Sequence, residues 1–395
     1  MGSKQSRGVR SLALTVASVA LATDALVYGI AVPVLPKIAT AEGAQPFSVG
    51  VMFAAYAGAL VLTTPLAGLW IDRRGNREPL LLGMFGLAAA TLLFAFVREP
   101  GPLILARALQ GVAAGVGWTA GLALIAATHG PAERGKAMGV ALSSFGVGTL
   151  LGPPLGGLLT EWFDPRAPFF VAFALAVVDG VVRWTMIPRD VGAGAAEVRA
   201  DLRGRGGLVQ VGALTVIGAA LIAFLEPILP LHLFSAEAAG PVAVGLVFGA
   251  GALVAALVPP LAGTGLRLVS GNVMACAGCA IAALALALLG GLSGVPLIAL
   301  GLVGVTLGAS LVLTPTLTLM ADIAEAYQPP AYGAVYALYT LAYTAGLAVA
   351  PLVAGAAMDG LGFSGATRLA AGVTLAAGLA VLALGRSRQR TAAIN

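Results

Sequence analysis

Two carboxylates in this chain stand where carboxylates are costly. Glu226 is the only charge in the apolar run from Gly207 to Phe234, and Asp24 lies about twelve residues into the first apolar run. A charged acid at the middle of a lipid-spanning helix costs roughly 2.5–3.5 kcal/mol on insertion scales. A partner, a water-filled cavity or a bound proton must offset that cost. An acid held in this way can take an organic cation or a proton by turns. Pro227 and Pro230 follow Glu226 within a turn, and Pro33 and Pro36 follow Asp24. Each proline removes a backbone donor, so the helix is expected to bend or open there. The pattern predicts one site with two halves, Asp24 in the first and Glu226 in the second. One pH unit is worth about 1.4 kcal/mol and 100 mV about 2.3 kcal/mol per charge moved, enough to drive concentrative exchange.

Other side chains fit the same chemistry. Arg107 and Gln110 are one turn apart in the fourth apolar run. Arg107 fits either a structural ion pair or a role in proton coupling, and its nearness to Pro102 would also let it snorkel outward. Gln110 lies further in and could face a cavity. Asp179 and Arg183 are four residues apart in the sixth run, the spacing of an ion pair within one helix. Tyr28, Tyr56, Trp118, Phe224, Tyr336, Tyr339 and Tyr343 offer ring faces to an amine, although each taken singly fits packing. Tyr336, Tyr339 and Tyr343 recur at helical spacing and make one stripe.

These residues need membrane-spanning helices to position them. Of 395 residues, 59% are hydrophobic and 10% charged, against about 25% charged in soluble domains. The apolar runs are continuous, not alternating, so helices are expected and a barrel is not. Twelve spans are expected, at roughly Leu12–Val32, Phe47–Ile71, Pro79–Val97, Pro102–Thr128, Ala137–Leu159, Ala167–Ile187, Leu208–Phe234, Pro241–Gly263, Met274–Leu289, Val295–Met320, Tyr332–Ala357 and Ala366–Leu384. The fold class is therefore an all-α membrane protein of two pseudo-symmetric six-helix bundles, residues 1–187 and 207–395, joined by a cytoplasmic linker over 188–206. The basic N-terminal segment reads as a retained first helix, not a cleaved leader. Sixteen Lys and Arg fall in the terminal tails and the even-to-odd loops, and four (Lys37, Arg98, Arg166, Arg368) in the others. The positive-inside rule then puts both termini in the cytoplasm. The halves echo one another: Pro65-Leu66-Ala67-Gly68 returns as Pro260-Leu261-Ala262-Gly263, an offset of 195 residues. Such repeats are expected of a transporter with its site between the halves.

Two motifs carry a family resemblance. Gly68-x-x-x-Asp72-Arg73-x-Gly75-Asn76-Arg77 follows the second span. It resembles the cytoplasmic loop signature of the major facilitator superfamily, with Asn76 where a basic residue is usual. The resemblance implies a gating role for Gly68, Asp72, Arg73, Gly75 and Arg77, with Gly68 expected to allow close helix approach. Gly148-x-x-x-Gly152-Pro153-Pro154-x-Gly156-Gly157, in the fifth span, is similar to the motif of the drug:proton antiporter branch. A proline among glycines suits a kinked helix packed tightly on a neighbour, and a generic kinked helix would also account for it.

Within that branch the chain resembles the vesicular monoamine and acetylcholine transporters, as a bacterial-type homologue. The likeness runs through Asp24 with Pro33 and Pro36, Ala106–Gly111, Ala167–Gly180, Ala223–Pro230 and Tyr332–Ala337. It implies that Asp24 meets the substrate's amine and that Glu226 serves proton coupling or substrate binding. Tyr56 stands where the vesicular members carry a lysine, and Ser310 and Thr340 where they carry acids. The second-half relay is thinner, which favours a broader bacterial amine or drug exporter.

The expectation is a proton-coupled antiporter of the inner cell membrane that exports organic cations by alternating access. Its substrate contacts would be Asp24, Glu226, Tyr28, Gln110, Phe224, Tyr336, Tyr339 and Tyr343, and its coupling residues Asp24, Glu226 and Arg107. The partners implied are a small organic cation, protons and lipid, with no nucleic acid, no cofactor, no metal and a monomeric working unit. An exporter of neutral metabolites on the same fold, or a small-cation receptor that does not transport, are the alternatives. Cys276 and Cys279 read as small packing residues despite their C-x-x-C spacing, since no His or acid lies near. Gly130-x-x-x-x-Gly135-Lys136-Ala137 lacks the hydroxyl and the preceding strand of a phosphate loop, so no enzymatic activity is expected.

Overall fold

Long apolar helices make up the structure, a computed structural model that describes residues 3–97, 99–129, 131–187, 206–266, 268–325 and 332–392. The helices are α1 (Ser3–Ala41), α2 (Pro46–Arg74), α3 (Arg77–Phe96), α4 (Pro100–Thr128), α5 (Pro131–Trp162), α6 (Ala167–Met186), α7 (Gly206–Ser235), α8 (Pro241–Gly265), α9 (Gly271–Leu289), α10 (Val295–Glu325) and α11 (Tyr332–Ala392). Among the described residues, eleven helices are long and apolar enough to cross a membrane. α11 runs over both of the last two expected spans, and within it Gly362 leaves helical geometry at φ 67°, ψ 176°. The expected linker lies outside the described residues apart from Gly206.

The prolines do not open these helices. α1 continues through Pro33 and Pro36, and α7 through Pro227 and Pro230. Hydroxyls inside the spans turn back on their own backbones. Thr64 donates to Leu60 O at 2.8 Å, Thr119 to Gly115 O at 2.7 Å and Thr160 to Gly156 O at 2.8 Å. This satisfies them where no water is available. Large apolar side chains such as Leu62, Leu66, Phe163 and Val209 stay exposed, the outer surface of a protein solvated by lipid rather than water.

The contacts divide the chain into two compact units. The first comprises Met1–Ala196 with Ala238–Gly249, and the second Glu197–Glu237 with Ala250–Asn395. In the first unit α1 packs on α5, α4 and α6, α2 on α4, and α3 on α4 and α6. In the second, α7 packs on α11 and α10, and α9 on α10 and α11.

Glycine decides how closely the helices of the first unit approach. A Cβ on Gly152 would lie 2.7 Å from Gly29 Cα and 2.8 Å from Leu26 O, and one on Gly29 would lie 2.9 Å from Pro153 Cδ. Gly148 and Gly156 press on the backbone of Ala22 and Ile30, and Gly157 on that of Pro241. The Gly148–Gly157 motif is thus the seam that seats α1 on α5, and Asp24 lies within the stretch of α1 it contacts, between Ala22 and Ala25. Gly146, on the same helix, has nothing within 4 Å of an added Cβ. Gly152→Ala should therefore cost about 1–3 kcal/mol through overpacking, while Gly146→Ala should be neutral or slightly stabilising. Thermal unfolding of the two purified variants checks this.

Gly68 behaves differently from the expectation. A Cβ there would meet nothing within 4 Å, so the close approach expected of it is absent among the described residues. The described contacts of this motif come from Gly75 and Arg77. Gly75 ends α2 at φ 78°, a left-handed conformation suited to glycine, and its N–H donates to Ile71 O at 2.7 Å. Arg77 Nη2 donates to Trp184 O at 3.3 Å, tying the start of α3 to the end of α6. Asp72 and Arg73 are exposed.

Cys279 is buried against Gly378, where an added Cβ would lie 2.8 Å from Cys279 Cβ. Cys276 Sγ reaches Gly378 O at 3.4 Å. Both thiols pack α9 against α11, the role read from their surroundings in the sequence. Gly135, Lys136 and Ala137 lie inside α5, and Gly130 lies outside the described residues.

Candidate functional site

The first unit gathers four charged side chains from three helices. α1 supplies Asp24, α4 supplies Arg107, and α6 supplies Asp179 and Arg183. Arg107 and Arg183 are fully buried and Asp179 nearly so. Asp24 is partly buried, with its Oδ1 out of solvent and without a hydrogen-bond partner. Both Arg183 and Arg107 act electrostatically on Asp24. Arg183 Nη2 donates to Asp179 Oδ2 within α6, the ion pair that the four-residue spacing implied. Four further nitrogens, Nε and Nη2 of Arg107 and Nε and Nη1 of Arg183, have no hydrogen-bond partner, and neither has Asp179 Oδ1. A buried cluster with this many unmet polar atoms calls for water or a ligand.

A cavity opens beside it. Asp24 and Arg183 form its polar wall, and Trp118, Met84, Leu87 and Gly117 are among its apolar lining. α3 and α4 meet along it, where an added Cβ on Gly83 would lie 2.9 Å from Gly117 N. Trp118 is held edge-on by Phe145, ring centroids 5.1 Å apart.

Arg107 does not snorkel. Its Nη1 donates to Gln110 Oε1 at 3.1 Å, and Gln110 Nε2 donates to Thr91 Oγ1 at 2.8 Å. Gln110 is therefore engaged at both ends and is not among the residues that line the cavity. Around the guanidinium stand Tyr28, Phe53 and Tyr56. Gly111 makes this possible: an added Cβ there would run into the Tyr56 carbonyl, so its absence lets α4 lie against α2. Reading the sequence missed Phe53 and Thr91. Phe53 was accessible in principle, since it lies one turn before Tyr56 on the same face of α2. Thr91 had no local signal.

The second unit places Glu226 on α7, buried at 9% exposure and within electrostatic reach of Tyr343 on α11. The Tyr339 and Tyr343 rings stack 6.3 Å apart, and Tyr339 also packs against the Leu208 and Val211 cluster. Phe224 is buried nearby in sequence on α7. Tyr336 belongs to α11, but its side chain lies outside the described ones. No group of His, Cys, Asp and Glu able to hold a metal ion occurs among the described residues.

Helices of this length and apolarity, paired through glycine seams around buried charge, define a multi-pass membrane transport protein. The chain belongs to the Major Facilitator Superfamily, whose family model matches residues 17–328. It is 32% identical to a probable vesicular acetylcholine transporter-B of Danio rerio over 379 residues, 90% of this chain and 75% of that protein. It is 30% identical to a synaptic vesicular amine transporter of Bos taurus over 327 residues, 80% of this chain and 62% of that protein. Among solved structures, a bacterial homologue of the human lysosomal transporter Spinster superposes with a TM-score of 0.82 at 14% identity, covering 97% of each chain. That likeness concerns the fold.

Proposed function

We propose that this chain is a proton-coupled antiporter that moves small organic cations across a cell membrane. The observation that carries the reading is Asp24, an acid with a buried, unpartnered oxygen on the wall of a cavity. The charge balance around it supports exchange. Arginine stays protonated in proteins. With Asp24 and Asp179 ionised, the cluster of two acids and two arginines is neutral. Binding either a proton or a monovalent cation brings it to one net positive charge, so each disfavours the other. The vesicular acetylcholine and amine transporters among its relatives support an organic cation as cargo.

Within the second unit, Glu226 with Tyr343, Tyr339 and Phe224 would be a cation-binding group, and within the first unit Tyr28 and Arg107 would join Asp24. The Gly148–Gly157 seam and the Gly75–Arg77 turn would hold the helices that must move. We read α11 as two spans that meet at Gly362, giving twelve in all. Its 61 residues would extend about 90 Å as one rod, three times a bilayer core. Two six-helix bundles, cytoplasmic termini, an inner-membrane location and a monomeric working unit complete the reading.

Purified protein in proteoliposomes tests it. With an acidic lumen and a neutral exterior, protons leave and a labelled amine should accumulate inside. A tenfold proton gradient supports up to about 1.4 kcal/mol of uphill movement per proton. A collapsed gradient should abolish the accumulation. Uptake indifferent to the gradient, or of neutral solutes only, would reject the proposal.

A further inference from the structure

Arg107 is an unusual buried cation. Its guanidinium carbon lies 4.8 Å from the centroid of the Tyr28 ring and 5.0 Å from those of Phe53 and Tyr56. The Tyr28 and Tyr56 rings are 4.8 Å apart and tilted by 50°, so they form two walls of one hollow. The side chain is 0% exposed, yet Nε and Nη2 have no hydrogen-bond partner. Only Nη1 is described as bonded, to the neutral amide of Gln110. Ring faces thus surround this charge where a carboxylate would be ordinary.

Aromatic faces arranged in this way attract a weakly hydrated cation through the negative potential over each ring, and the attraction grows when water is excluded. A strongly hydrated sodium or potassium ion gains much less there. We propose that Tyr28, Phe53 and Tyr56 form a cage for a small organic monocation of the guanidinium or quaternary ammonium kind, and that Arg107 fills it from within as a tethered cation whenever cargo is absent. The inference rests on the organic-cation reading of the first unit and adds an occupant that cargo must displace.

The placement fits such an exchange. Tyr28 is four residues after Asp24 on α1, hence on the same face one turn along. Tyr28 is partly exposed, while Phe53 and Tyr56 are buried, so the Tyr28 side is the way in. Cargo entering there meets a like charge and can settle only when the guanidinium withdraws. Arg107 already acts on Asp24 electrostatically, so the acid is a stand-in partner for it. The cage therefore couples cargo binding to a movement of a fixed positive charge, and it disfavours binding of hydrated inorganic ions.

The test removes the tether and supplies a free cation. Purified Arg107→Ala is titrated with tetramethylammonium chloride and with guanidinium chloride at low millimolar concentration, with sodium chloride at equal ionic strength as reference, and unfolding temperature is read. The expected result is a saturable stabilisation of Arg107→Ala by both organic cations, at least about tenfold tighter than in the wild type, where the cage is filled. Adding Tyr56→Leu to Arg107→Ala should remove it. Equal response of wild type and Arg107→Ala, or a response that survives Tyr56→Leu, overturns the proposal. Should Arg107→Ala fold poorly, guanidinium present during purification should restore the folded fraction, and failure to do so also overturns it. Proton-driven cation transport by the wild type without any cage response in the variants would sink this inference alone. A cage response without proton-driven transport would leave the cage standing and sink the antiport reading.

Discussion

Asp24→Asn should abolish proton-driven exchange while leaving the fold intact. Asparagine keeps the shape of the side chain and removes the negative charge and the exchangeable proton together. Removing one member of a buried charge pair typically costs 2–5 kcal/mol of binding, so organic-cation affinity should fall by about 30-fold or more. No coupled proton would then cross by this route. The fold should survive, because Asp24 makes no ion pair of its own among those described, and the Gly148–Gly157 seam beside it is untouched. Asp24→Glu is the informative companion. It keeps the charge but adds a methylene where Asp24 and Arg183 share one cavity wall, so partial exchange with a changed cation preference is expected. Transport and direct binding measured on the same preparations separate loss of cargo from loss of coupling. Full exchange by Asp24→Asn would end the proposal.

The second large effect is on stability. Asp179→Ala should destabilise the first unit by about 3–5 kcal/mol, because it leaves the Arg183 guanidinium buried without its carboxylate. Arg183→Met should cost less, since an acid can take up a proton and a guanidinium cannot readily lose one. The double variant Asp179→Leu with Arg183→Met should recover most of the loss. Replacing a buried ion pair by apolar residues of similar size is often neutral or stabilising. Thermal or denaturant unfolding of the wild type, Asp179→Leu, Arg183→Met and the double variant forms a double-mutant cycle whose coupling term reads the pair directly. Recovered stability is not expected to bring back normal exchange, because Arg183 also lines the cavity and acts on Asp24. If Asp179→Ala unfolds like the wild type, the pair is not a buried one.

The membrane class, the helical fold and the two acids are visible in the sequence alone. Runs of about 20 apolar residues have few stable settings other than a bilayer, and a single charge in such a run stands out without any tertiary information. Backbone groups in lipid must bond locally, so helices follow from the same runs. The ion pair of Asp179 with Arg183 was equally legible, because four residues is one helical turn. The Gly148–Gly157 motif announced a tight seam, although only the structure shows that its partner is α1 around Ala22–Ile30.

What remained hidden depends on which helix lies beside which. Helical periodicity assigns a residue to a face but does not say what that face meets. Nothing near Arg107 in the chain indicates that rings from α1 and α2 stand around it, or that Gln110 is bound to Thr91 of α3 and is not among the residues lining the cavity. Nothing near Gly68 indicates open space where its motif suggested contact. Arg183 reads as half of a local pair, and its second role beside Asp24 arises because α6 packs on α1. Local chemistry and hydropathy determined the fold class and the acids. Helix adjacency, set by where glycine lets backbones touch, decided what surrounds each buried charge.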